Sequence, residues 1–429
     1  MPHSKEKSEV QHDTHAQLVA AVPATFSGLG IAPKILEMLA RMKFTVPTPI
    51  QLKAIPMGVE GKDVMGIAQT GTGKTLAFVI PMVQRLAQGK GIGLILVPTR
   101  ELAYQVDETV QKIAPSFGIQ SAVLIGGASM EEQVRALRRS PRIIVATPGR
   151  LIDHVTERHT LKLDGVSVLV LDEADRMFDM GFAPQINQII RFIPKDRQTM
   201  LFSATMPREI MSLTAQHMKL PVHVEVARSG ATLDKISQEL YIIDRHHKVE
   251  LLKSVLEQYR GSVLVFSRTK HGARKLVMDL KRIKINAAEI HSDRSLGQRK
   301  AALEGFKVGR YRVLVATDIA ARGIDVKGIE LVVNYDLPDD AENYVHRIGR
   351  TGRAGLEGRA ISFATPDQFE LVGNIQKLIK IDISVTKHPA VPTTEFLLPV
   401  RSVHAPAGRP GSGGRTGVRT FRARRFGRR

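Results

Sequence analysis

The chain has 429 residues, too many for one ordinary core, and its 43% apolar and 24% charged residues suit soluble globular domains. It has no cysteine, which excludes disulfides, thiolate metal sites and cysteine nucleophiles, and no apolar run approaches the ~18 residues of a membrane span. Lys and Arg outnumber Asp and Glu by 62 to 42, a net +20, so a polyanionic partner is expected, nucleic acid ahead of a membrane surface.

Residues 1–22 are polar and aperiodic and lack the apolar centre of a signal peptide, so they read as a disordered leader on a cytoplasmic protein. Their histidines (His3, His12, His15) have no rigid element to fix a metal geometry. After Phe26 a helix is predicted over Pro33 to Met42. Next comes Lys43-Phe-Thr-Val-Pro-Thr-Pro-Ile-Gln51, held extended by two prolines. The Gln51 carboxamide can donate and accept in one plane, as the edge of adenine requires, and Phe26 can stack on a base. A helix cap and a core ring are the structural alternatives for these two.

An apolar run then leads into Ala68, Gln69, Thr70, Gly71, Thr72, Gly73, Lys74 and Thr75, with a helical pattern following. Glycines that tolerate unusual backbone angles let successive N–H groups curl round a phosphate, and a helix beginning there points its positive end at the anion. Lys74 adds charge for the β- and γ-phosphates, and Thr75 a hydroxyl for magnesium.

Apolar runs at Leu94–Val97, Ala122–Ile125 and Ile143–Ala146 alternate with helical patterns, which predicts a parallel sheet with helices on both faces. The turns after them carry Pro98, Thr99 and Arg100, then Gly126 and Gly127, then Thr147, Gly149 and Arg150. Turns after parallel strands emerge on one side, so these groups can form one phosphodiester-binding surface. The run Val168–Leu171 ends in Asp172, Glu173 and Asp175, three acids at the ligand-bearing end of a strand. Asp172 suits magnesium and Glu173 suits orienting and deprotonating a water. Ser203 and Thr205 end another strand and can hydrogen-bond the acids.

Periodicity lapses over residues 227–235, a predicted linker. The alternation then starts again, with runs at Leu240–Ile243, Val263–Phe266, Val313–Ala316, Leu331–Val333 and Ile361–Phe363. This second unit has no lysine loop. It has His346-Arg-Ile-Gly-Arg350-Thr-Gly-Arg353, whose arginines suit neutralising a γ-phosphoryl group across a cleft, so that closure and hydrolysis are coupled. Residues 389–429 turn to Pro, Gly, Ser and Arg, and nine arginines, no acid and two phenylalanines lie between Arg401 and Arg429. That composition reads as a disordered arm that grips nucleic-acid backbone.

Taken together, these motifs resemble the DEAD-box RNA helicases of superfamily 2, from about residue 26 to about residue 365. The brevity of the core and its arginine-rich tail resemble the bacterial RNA helicase E branch. The resemblance implies two tandem RecA-like domains (residues 23–226 and 236–388), ATP and Mg2+, and a monomer acting on RNA, in ribosomal precursors or RNA decay. It implies that Phe26 and Gln51 recognise adenine and Asp325 the ribose, that Phe44 belongs to the nucleotide-binding set, and that Arg350 and Arg353 are arginine fingers. Asp175, Ser203, Thr205 and His346 would couple hydrolysis to strand separation. Arg268, Arg299, Thr317 and Asp318 would add RNA contacts from the second domain. The sequence departs from the family at Lys43, where glycine is usual, and at His291-Ser-Asp-Arg-Ser-Leu-Gly-Gln-Arg299, whose usual start is His-Gly-Asp. An ATP-gated RNA clamp and a DNA translocase are competing readings of the same motifs.

Overall fold

A computed structural model of the chain describes residues 25–69, 71–226, 236–321, 326, 328–352 and 357–397. The leader at 1–22, the linker at 227–235 and the arginine-bearing part of the arm lie outside the described residues, as do Thr70, Asp325 and Arg353.

Among the described residues two seven-stranded sheets follow one another, and every ladder in them is parallel. The first contains β1 (Val64–Ile67), β2 (Ile92–Leu96), β3 (Ser121–Leu124), β4 (Ile143–Ala146), β5 (Val166–Leu171), β6 (Gln198–Ser203) and β7 (Val222–Glu225). The second contains β8 (Ile236–Ile242), β9 (Val263–Phe266), β10 (Ala287–Ile290), β11 (Val313–Ala316), β12 (Leu331–Asn334), β13 (Gly358–Ala364) and β14 (Ser384–Val385). Their orders, β3-β4-β2-β5-β6-β1-β7 and β10-β11-β9-β12-β13-β8-β14, match position for position. These are the two tandem RecA-like domains that the resemblance implies.

The continuous apolar runs are explained by burial on both faces. Ile95, Val145 and Val170 pack on one side of the first sheet, with Phe78, Ile80 and Val83 of the helix Lys74–Gln88. Leu94, Leu96, Ile144 and Leu171 pack on the other, with Ile186 and Ile189 of the helix Ala183–Phe192. Strands β7, β10 and β14 carry no comparable apolar run: β7 interleaves His223 and Glu225, β10 contains Glu289, and both residues of β14 are exposed.

The helix expected at Pro33–Met42 forms over Pro33–Arg41. The second domain, however, runs past the boundary at 388 drawn from composition. Thr394 N donates to Ile242 O at 2.9 Å, Leu397 N to Pro366 O at 2.9 Å, and Val391 is buried. Phe396 meets Phe369 edge-on at 5.6 Å. A segment rich in Pro and Thr docks here because a few apolar side chains supply the contact.

Candidate nucleotide site and nucleic-acid interface

The loop after β1 turns through Gly71 (φ +82°) and Gly73 (φ +90°), a left-handed geometry that glycine tolerates. Lys74 opens the helix, is buried, and donates from Nζ to Ala68 O at 2.8 Å, while the Thr72 hydroxyl donates to Gln69 O at 2.7 Å. Gln51 is buried against this loop: Nε2 donates to Gly73 O at 3.0 Å, and Oε1 accepts from Thr48 N at 2.9 Å in a capping box. Each end of its carboxamide keeps capacity for one further bond. Phe44 is 46% exposed and free to stack. Phe26 is not: its ring is 4% exposed in the core with Ile31 and Ile35, which contradicts the expected stacking on a base.

The acids lie at the end of β5, between β2 and β6. Asp172 is 3% exposed and pushed up to about 7, chiefly by burial; Lys74 opposes the rise, and Glu173 and Asp175 add to it. Glu173 has φ +51°, an unusual left-handed backbone for a side-chain-bearing residue at a site. Asp175 accepts from Ala204 N (3.1 Å), Thr205 N (2.9 Å) and the Thr205 hydroxyl (3.1 Å), and its own N–H donates to Ser203 Oγ at 3.2 Å. The acids and the Ser203–Thr205 turn are thus one hydrogen-bonded unit. Among the described residues no group of three or more His, Asp or Glu side chains is arranged to hold a metal.

Across the cleft, the helix Ala341–Ile348 presents His346 opposite Gln69, Ala204 and Thr205. Arg350 is buried next to it, its Nε donating to His346 O at 3.3 Å. Arg176 beside the acids reaches over to Asn343 Oδ1 at 2.6 Å. Arg347, expected with the other arginines of its motif to reach across the cleft, instead braces the second domain, because Asp318, Asn334 and the Asp336 carbonyl take up its guanidinium. It forks onto Asp318 at 2.6 and 2.7 Å, donates to Asp336 O at 2.6 Å, and stacks on Phe266 with 4.9 Å to the ring centre. Asp318, expected to contact RNA, is therefore committed to Arg347.

Strands β3, β4 and β2 are neighbours, so the turns that follow them adjoin. Pro98 and Thr99 are buried, Thr99 capping the helix Arg100–Ile113 through Leu102 N at 3.2 Å. Arg100 lies over Gly126 and Gly127, and a Cβ at Gly127 would overlap its guanidinium. Thr147 is buried, Gly149 faces open space, and Arg150 donates to Ala128 O at 3.3 Å and pairs with Asp153 at 3.2 Å. In the second domain Thr317 is half-buried and Arg268 is half exposed, its backbone N–H held by Asp336 at 3.0 Å. Arg299 departs from expectation. It is buried, and its Nη2 lies 2.7 Å from Glu101 Oε2 of the first domain, which takes it out of the RNA set. That partnership spans almost 200 positions of sequence and left no local signal.

A phosphate loop and an acid-bound turn that face His346 across two RecA-like domains define a two-domain nucleotide-binding protein. The model of the DEAD/DEAH box helicase family matches residues 48–213, and that of the helicase conserved C-terminal domain matches residues 247–355. The ATP-dependent rRNA helicase RRP3 of Debaryomyces hansenii is 41% identical over 358 residues, 83% of this chain and 75% of the relative. That of Candida albicans is 42% identical over 358 residues, 83% and 67% of the two. Among solved structures, S. cerevisiae Dbp5 bound to RNA and ADP BeF3 is similar with TM-score 0.76 and 32% identity, covering 84% of this chain and 95% of that one. Mss116p bound to ssRNA and AMP-PNP is similar with TM-score 0.78 and 27% identity, covering 86% and 81%. The chain belongs to the DEAD-box helicases and is an ATP-dependent RNA helicase. The narrower resemblance to the bacterial RNA helicase E branch finds no support: these sequence relatives are fungal rRNA helicases.

Proposed function

We propose that the two domains close on ATP and RNA, that closure bends one RNA strand, and that short duplexes are thereby opened locally or RNA–protein complexes remodelled. The observation that carries this reading is the single cleft in which Gln69 of the phosphate loop and Thr205 of the acid-bound turn face His346. The likeness to nucleotide- and RNA-bound Dbp5 and Mss116p supports it. The relatives' name makes ribosomal RNA the first substrate to try.

In this reading Gln51 and Phe44 take adenine, Asp325 the ribose, and the loop 68–75 the phosphates. Lys74 leaves Ala68 O for the β- and γ-phosphates. Glu173 orients the attacking water and accepts its proton, and Arg350 and Arg353 neutralise charge developing on the γ-phosphoryl group. Asp175 transmits the state of the site to Ser203 and Thr205. Asp172 and Thr75 fit magnesium, since a buried carboxyl crowded by two acids gains from a cation; when bound, that ion offsets phosphate charge.

Glu173→Gln removes the base and keeps the shape. Hydrolysis should fall about a thousandfold or more, while RNA is held more tightly with ATP than without. RNA affinity indifferent to ATP in this variant would contradict the closure model.

A further inference from the structure

The RNA-facing turns of the first domain are cross-braced by two buried side chains that no motif contains. Gln133, in the helix Met130–Leu137, lies behind the Gly126–Gly127 turn and is buried. Its Oε1 accepts from Ile125 N at 3.1 Å, and its Nε2 hydrogens are shared among Ile125 O (3.1 Å), Ser129 O (3.2 Å) and Ala128 O (3.4 Å). One side chain therefore closes the turn from both ends. The helix Pro148–Ile152 after the Thr147–Arg150 turn widens into a π-type turn over Asp153–Glu157, a feature often found beside functional sites. There His154 is fully buried, with Nε2 3.3 Å from Gln133 Oε1 and Nδ1 2.8 Å from Thr160 Oγ1.

The chemistry fixes the tautomer. Gln133 Oε1 can only accept, so His154 Nε2 carries the proton and Nδ1 accepts from the Thr160 hydroxyl. Burial, then the nearby Arg150 charge, lower the pKa of the ring, with Asp153 opposing. Arg150 adds the surface strut, Nη1 to Ala128 O. Beyond the β3–β4 ladder and the Thr147 N to Leu124 O bond at its end, one Gln–His contact and one arginine tie the two loops together.

We infer that His154 and Gln133 are positioning residues for RNA: they touch no phosphate, and they hold the Gly126–Gly127 and Thr147–Arg150 turns at the separation one RNA backbone requires. This rests on the RNA-dependent ATPase reading. A pre-set surface spares RNA the cost of ordering the loops, so its loss should appear in RNA affinity and not in the chemical step.

The test is ATP hydrolysis against single-stranded RNA concentration for the wild type, His154→Phe, which keeps an aromatic ring but removes both nitrogens, and His154→Gln, which restores a donor toward Gln133. The phenylalanine variant should need about tenfold more RNA for half-maximal stimulation, with kcat at saturating RNA and the RNA-free rate unchanged, and the glutamine variant should recover most of the loss. If His154→Phe does not fold, Thr160→Val, which frees the ring at Nδ1, should shift RNA dependence the same way. Unchanged RNA dependence in whichever of these variants folds, or a fall in kcat without one in affinity, overturns the inference. A wild type that RNA does not stimulate overturns instead the reading beneath it.

Discussion

A carboxyl 3% exposed beside two further acids is costly to ionise, and Asp172 is in that position. Its pKa rises from 3.8 to about 7, so between those values the folded chain holds a proton that the unfolded chain gives up. The stability this group contributes is whole below about 3.8 and is lost as pH rises through about 7. Asp172→Asn cannot ionise. Without nucleotide at pH 8 it should melt roughly 5 °C above the wild type, with a smaller gap at pH 5. Its kcat should nonetheless fall about a thousandfold. Thermal unfolding at both pH values checks the first expectation and steady-state hydrolysis the second; equal melting at pH 8 would mean that the carboxyl is not strained.

At the scale of elements, the two repeats use equivalent positions differently. The helices Met130–Leu137 and Leu296–Lys307 each follow a serine cap, Ser129 and Ser295, and the fourth residue after the cap is Gln133 in one and Arg299 in the other. Gln133 turns back to its own loop, whereas Arg299 crosses to Glu101, and Leu296 beside it packs on the first domain's core. Burial pushes the Glu101 carboxyl up and lowers the Arg299 guanidinium, with each partner's charge opposing the shift. Losing one partner leaves a buried charge, a penalty of about 3–5 kcal/mol that opening the cleft can relieve. Arg299→Glu should therefore lower RNA-stimulated kcat/KM by about ten- to a hundredfold with little change in melting, and adding Glu101→Arg should restore most of it. If Arg299 bound RNA, the swap would restore nothing. The contiguous motifs could be read from the chain because local geometry defines them: glycines at a turn, acids at a strand end, a Ser-Ala-Thr turn beside them. Phe26, Asp318 and Arg299 could not, because burial, a fork from Arg347 and a cross-domain pair are tertiary facts.

For the whole molecule, alternation of apolar runs was enough to give two parallel sheets, and where it failed the strands were edge or short ones such as β7, β10 and β14. The excess positive charge concentrates in the arm, whose nine arginines from Arg401 onward are balanced by no acid. Deleting residues 401–429 should weaken RNA binding and flatten its dependence on salt, since released counterions scale with the phosphates neutralised; affinities measured across a salt series check this, and an unchanged slope would refute it. In the proposed closure the nucleotide site is completed only when both domains hold RNA. Steady-state ATP hydrolysis with no nucleic acid, with single-stranded RNA and with DNA of matching sequence tests it most directly. Stimulation by RNA alone is the predicted result, and equal rates in all three would contradict the account.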